Sequence, residues 1–182
     1  NGGFFNAAGP LGLVVTNGEI RSSTVSEKPP RAALGLYEDK AWIDRMDQRE
    51  GQLIPQNPTR WFDWAKARYV LGGGPRIVHR MQVGQKGRIE AEEEGLDASS
   101  GINPEGNEAR TVVGIGRNQL YLMTVDGGQP GLSIGMTLAA AAGFMVRMCR
   151  APYAMALDGG DSTRLVIQDQ TINFPWGSQG GI

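Results

Sequence analysis

The stretch "YAMALDGGDSTRLVIQ", Tyr153 to Gln168, carries an apolar, strand-like run into Asp158, crosses Gly159 and Gly160 to Asp161, and resumes as a strand after Ser162 and Thr163. A tight connection between two strands needs only Asn-Gly or Asp-Gly. Six small or acidic residues exceed that need, so the turn reads as a site as well as a connector. The same pattern recurs upstream. "RTVVGI" (Arg110 to Ile115) and "QLYLMTVD" (Gln119 to Asp126) form a hairpin across Gly116, Arg117 and Asn118, and its second strand again ends on an aspartate followed by Gly127 and Gly128.

Further out, "LGLVVTNGEI" (Leu11 to Ile20) sets Asn17-Gly18 between apolar runs, the strongest short hairpin signal. "YVLGGGPRIVHRMQ" reads as strand, glycine knot, strand, and Asp169-Gln170 as a tight turn near the end. One segment is convincingly helical. In "TLAAAAGFMVRMC", Thr137 to Cys149, Leu138, Ala141, Ala142, Met145, Met148 and Cys149 recur at helical spacing behind an N-capping Thr137, and the small face predicts close packing on a sheet. Phe144, Met145 and Met148 are expected in the core. "PTRWFDWAKARY" is a weaker helical candidate, and the acidic, turn-rich run from Glu90 to Ala109 predicts an exposed loop. Many strands with one or two packed helices predict one α+β domain, residues 1–182, on a mixed or mainly antiparallel sheet.

Composition narrows the function. The 182 residues are 40% hydrophobic, enough for one well-buried core. A formal net charge of -1 gives no basic excess, which argues against nucleic acid and anionic membrane as partners. No apolar stretch approaches the roughly 20 residues of a membrane span. Cys149 and His79 are the only residues of their kinds, so an internal disulfide and a Cys/His zinc set are both excluded. No cofactor or metal is implied. A homo-oligomer is compatible with the sequence. Because the chain opens at Asn1 rather than Met, it reads as a processed or excerpted form whose export signal would lie upstream.

Each motif also has a bland reading. Gly73 and Gly74 before Pro75 make a tight bend more readily than a phosphate loop, because no helix follows. His79 among apolar neighbours reads as a strand histidine without catalytic duty, and Cys149 as a small buried hydrophobe. "DGGDS" lacks the alternating oxygen ligands and distant glutamate of a calcium loop.

What changes the weighing is order. "NGGFF" (Asn1 to Phe5), "GGGP" (Gly72 to Pro75), "RTVVGI" with "LMTVDGG" (Arg110 to Gly128), "GMTLAAAAGFM" (Gly135 to Met145) and "LDGGDSTRL" (Leu157 to Leu165) together resemble the phosphodiester glycosidase family over almost the whole chain. The sequence departs from the family pattern at Asp161, where a third glycine is usual, at "VDGGQ", and at the terminal "GSQGGI". It starts at the family's NGGFF motif, so a preceding strand is expected outside it.

The resemblance implies a hydrolase that cleaves a sugar phosphodiester or related glycan. Its leaving group, a phosphate monoester, needs little protonation, so a carboxylate and a cation could suffice without histidine. On this reading Asp158 is nucleophile or general base and Asp126 its partner. Arg110 grips phosphate, and Gly73, Gly74, Gly159 and Gly160 let backbone amides approach the same charge. Ser162 and Thr163 supply hydroxyls, Asn1 and Thr111 shape the pocket, and Asp161 completes the substrate-binding set. The ligand is a carbohydrate or sugar phosphate. The resemblance alone places the protein outside the cell or in its envelope, and the lack of disulfide-forming cysteines leans toward a bacterial or phage source. A second reading is a carbohydrate-binding or structural domain of the same fold without turnover, in a filament or phage particle. A third, less favoured, is a metal-dependent phosphodiesterase using Asp126, Asp158 and Asp161.

Overall fold

The computed structural model describes residues 3–7, 9–22, 29–82, 89, 91–96 and 101–175. Asn1 lies outside them. Among the described residues fourteen strands follow in chain order: β1 (Phe5–Asn6), β2 (Gly9–Pro10), β3 (Val14–Thr16), β4 (Glu19–Ser22), β5 (Arg31–Tyr37), β6 (Lys40–Arg49), β7 (Gln52–Pro55), β8 (Tyr69–Gly72), β9 (Arg76–His79), β10 (Arg110–Ile115), β11 (Leu120–Val125), β12 (Tyr153–Ala156), β13 (Val166–Ile167) and β14 (Gln170–Thr171). Two ribbons, β1-β2 and β13-β14, accompany a six-stranded sheet in the order β4-β3-β8-β5-β6-β7 and a four-stranded sheet in the order β11-β10-β12-β9. Every described pairing is antiparallel. The architecture is α+β.

Side-chain alternation along β5 explains how the layers stack. Ala32 and Leu34 face the four-stranded sheet and pack with Ile43, Val113 and Met155. Ala33 and Tyr37 face the other way, into a cluster with Phe62, Trp64 and Val70. Gly35 shares that second face, where a Cβ would stand 2.6 Å from the Trp64 ring. The expected helix around Trp61 is only a 3-10 turn, Trp64–Lys66, and Phe62 and Trp64 on either side of Asp63 both pack against β5 at Gly35 while Trp61 stays exposed.

The far face of the four-stranded sheet is covered by α1 (Leu138–Arg147), capped by Thr137, whose Oγ1 accepts from the Ala140 N–H at 3.1 Å. Leu138, Ala141, Ala142 and Met145 form its buried stripe on Val112, Ala154 and Ala156. Phe144 and Met148 fall off that stripe and are exposed, contrary to their expected place in the core. Gly114 lets the helix settle close, its Cβ position lying 3.0 Å from the Met145 sulfur.

The hairpins at Asn17-Gly18 and between β10 and β11 form as read. The last turn is shifted by one residue: Gln168 and Asp169, both at positive φ, join β13 to β14. The glycine knot does more than bend, since it carries the chain from β8 in one sheet to β9 in the other. Gly74 has φ +122°, and a Cβ there would lie 2.6 Å from the Glu94 carboxylate.

The acidic run is not an exposed loop throughout. Ala91, Glu94, Leu96, Ile102 and Ala109 are buried. Glu94 accepts from the Ala32 and Arg76 N–H groups, each at 2.8 Å, and from Arg45 Nε at 2.9 Å. It joins both sheets through one carboxylate.

Candidate active site

The candidate site forms where β11 and β12 end on either side of the start of β10. In the β10–β12 register Val112 faces Ala156, which sets Asp158 across from Arg110. The Leu157 N–H donates to the Thr111 carbonyl at 2.9 Å, and the Gly160 N–H to the Ala109 carbonyl at 2.9 Å. Both Asp-Gly-Gly turns close on this point. A Cβ on Gly127 would meet the Ala109 nitrogen at 2.3 Å, and one on Gly159 the Ala109 carbonyl oxygen at 2.8 Å. The glycines following each aspartate are thus required by the backbone of one residue between them.

A cavity of about 100 Å³ opens here, its walls including Phe4, Gly74, Glu108, Arg110, Asp158 and Gly160. Pleat parity explains the company. Glu108, Arg110 and Val112 share one side of their chain, the side on which Val112 meets α1. Arg110 is buried, and burial pulls its guanidinium below its ordinary pKa, an effect that Glu108 partly offsets. Nε donates to the Met136 carbonyl at 3.0 Å. Nη2 donates to those of Asn103 at 2.6 Å and Gly106 at 2.8 Å, while Nη1 lies 3.3 Å from Glu108. With its fork turned onto the protein, Arg110 organises the cavity wall and retains one Nη1 hydrogen beyond these contacts.

Of the expected residues, Asp158, Arg110, Gly74, Gly159 and Gly160 line this cavity. Asp126 does not. Alternation carries Met123 to the helix side and Thr124 to the other. Asp126 follows Thr124, and its Oδ1 accepts from Asn173 Nδ2 at 2.8 Å and from the Phe174 N–H at 3.0 Å. The same Asn173 donates to the Thr163 carbonyl at 3.1 Å, so Asp126 anchors the segment that follows Asp158. Thr163 is buried with its Oγ1 3.4 Å from that of Thr111, behind the cavity rather than in it. Ser162 and Asp161 lie on the 3-10 turn Gly160–Ser162, with Asp161 exposed. Gly73 is adjacent but buried, and its N–H and that of Gly74 donate to the Ala32 and Ala156 carbonyls, so these amides bind backbone and not an anion.

Glu108 is the residue that sequence reasoning missed. The signal was its i, i+2 spacing from Arg110, obscured by the acidic run around it. Among the described residues no group of three His, Cys, Asp or Glu side chains could hold a metal ion.

Glu108, the buried Arg110 and Asp158 thus line one cavity where the antiparallel strands end. The chain belongs to the phosphodiester glycosidase family, whose model matches residues 1–181. No curated protein matches the sequence. The fold is similar to that of a hypothetical protein from Synechocystis, with TM-score 0.70, 15% identity, and coverage of 95% of this chain and 48% of that one. It is also similar to the catalytic domain of zebrafish N-acetylglucosamine-1-phosphodiester alpha-N-acetylglucosaminidase, auto-inhibited by its pro-peptide, with TM-score 0.67, 20% identity, and coverage of 97% and 55%. The chain therefore spans about half the length of these two structures.

Proposed function

We propose that this domain hydrolyses a glycosyl phosphodiester, with Asp158 as the principal carboxylate and Glu108 as the second. The observation that carries the reading is the presence of Asp158, Glu108 and Arg110 in one cavity, in a chain of the phosphodiester glycosidase family. Water attacks the anomeric carbon and gives up a proton to a carboxylate. The bond from that carbon to the phosphate oxygen breaks, and the phosphate monoester leaves with the electron pair. Such a leaving group is weakly basic, which suits a cavity without histidine. Arg110 contributes charge and one hydrogen-bond donor in place of a bidentate grip. Asp126 acts as a positioning residue through Asn173, with Thr111 and Thr163 supporting the turn from behind. The zebrafish neighbour, an N-acetylglucosamine-1-phosphodiester alpha-N-acetylglucosaminidase, supports an N-acetylglucosamine-1-phosphodiester as the first substrate to try. Export to the envelope or extracellular space is part of the same proposal, because such glycans reside there.

The test is release of phosphate monoester from a panel of sugar-1-phosphate diesters. Asp158→Asn keeps size and removes charge, so turnover should drop by about two to four orders of magnitude with folding unchanged. Full activity in that variant would remove Asp158 from the chemistry. A second reading, a sugar-binding domain without turnover, is favoured by the commitment of Arg110 to three backbone carbonyls. It prevails if the wild type binds these diesters and releases no monoester.

A further inference from the structure

A second cavity, of about 380 Å³, lies at the opposite end of the four-stranded sheet. Pro75 and His79 bracket β9, and four residues at about 3.3 Å each put roughly 13 Å between the two places. The family resemblance used none of its residues.

Its walls are aromatic and polar together. Trp42 of β6 lies against Tyr153 of β12 with ring centroids 4.6 Å apart, and Tyr153 lies 5.7 Å from the His79 ring. Trp61 lines the cavity while 80% exposed, an unusual placement for the largest apolar side chain and one without a packing benefit. Beneath them Asp44 is buried and fixed. Its Oδ1 accepts from Asn57 Nδ2 at 2.9 Å and from Arg76 Nη1 at 3.1 Å, and its Oδ2 accepts from the Asn57 N–H at 2.7 Å. These bonds hold the 57–61 segment against the seam between the two sheets.

We infer that this cavity is a second, non-catalytic binding site for a neutral saccharide, which Trp42, Tyr153 and Trp61 contact through the ring's apolar face while Asn57 and His79 meet its hydroxyls. Its size falls within the usual range for small-ligand sites, roughly 300–1,000 Å³. Aromatic rings offer rigid apolar area at low entropic cost, and a pyranose has both a C–H face and an equatorial belt of hydroxyls. Arg76 beneath the cavity is already paired with Asp44, and Arg80, exposed at its rim, can donate to a saccharide hydroxyl, so inorganic phosphate is the competing ligand that the test must separate from sugar. The site does not depend on hydrolysis at Asp158.

The experiment uses the whole chain carrying Asp158→Asn, so that turnover cannot consume ligand, on an array of neutral oligosaccharides, with adenosine and inorganic phosphate tested separately by calorimetry. At least one saccharide class should bind. Trp61→Ala, on an exposed side chain that the fold does not need, should weaken that binding about tenfold or more. In the Asp158 parent background, monoester-releasing activity is not read; it is measured instead in Trp61→Ala alone, where turnover of a small diester should match the wild type. Failure of every saccharide to bind overturns the inference. So does binding that Trp61→Ala leaves unchanged, or binding of adenosine or phosphate in place of sugars.

Discussion

Glu94 shows how much one side chain can decide. It is fully buried, pairs with Arg45, and accepts backbone N–H groups from β5 and β9. Removing Glu94 leaves the Ala32 and Arg76 N–H groups without their acceptor and Arg45 with only the half-exposed Glu93, at a cost of about 3–5 kcal/mol. Glu94→Ala should therefore lower the unfolding free energy from denaturant titration by that amount, and a loss under about 1 kcal/mol would show the network to be dispensable. His79 gives a pH signature. Burial, reinforced by Arg76 and Arg80, holds its imidazole below the ordinary value of 6.5. The unfolded chain then takes up the proton first as pH falls through 6.5, so stability declines below that value and is insensitive to His79 above it. As the chain has one histidine, His79→Gln should flatten this part of the stability–pH curve, and an unchanged slope would assign it to carboxylates.

Among the elements, the paired Asp-Gly-Gly turns matter most to the site. They end β11 and β12, and Gly127 and Gly159 press on Ala109 from the two flanks of β10. Gly127→Ala puts a methyl 2.3 Å from the Ala109 nitrogen, which only a backbone shift relieves. The expected cost is about 1–3 kcal/mol. Because the shift propagates to Glu108 and Arg110, monoester release should also fall although Asp158 is untouched. Wild-type stability and turnover in Gly127→Ala would mean that the turn yields without disturbing β10.

At the scale of the molecule, the two sheets share a core and should therefore unfold together. Ala32, Leu34 and Ile43 of the larger sheet meet Val113 and Met155 of the smaller. Met155 is fully buried, so Met155→Ala should cost about 2–5 kcal/mol and lower a single unfolding transition seen by both near- and far-UV circular dichroism. Two separated transitions would show that the sheets unfold independently.

Local chemistry determined what the sequence alone could tell. Asn17-Gly18 specifies its hairpin because both residues tolerate positive φ, and both have it here. Thr137 and the Leu138, Ala141, Ala142, Met145 stripe specify α1 because a helix repeats its buried face every three or four residues. The surplus residues at 158–163 singled out Asp158, which lines one cavity with Arg110. Tertiary structure alone decided the rest. The acidic run read as solvated, yet Glu94 is buried because arginines and amides from three distant strands converge on it, and no local pattern records such partners. Asp126 and Asp158 look equivalent in sequence, since each ends an apolar strand before two glycines. They part company because the pleat and the packing of Asn173 turn Asp126 toward the closing segment, while the helix side of β10 gathers Asp158 with Glu108 and Arg110.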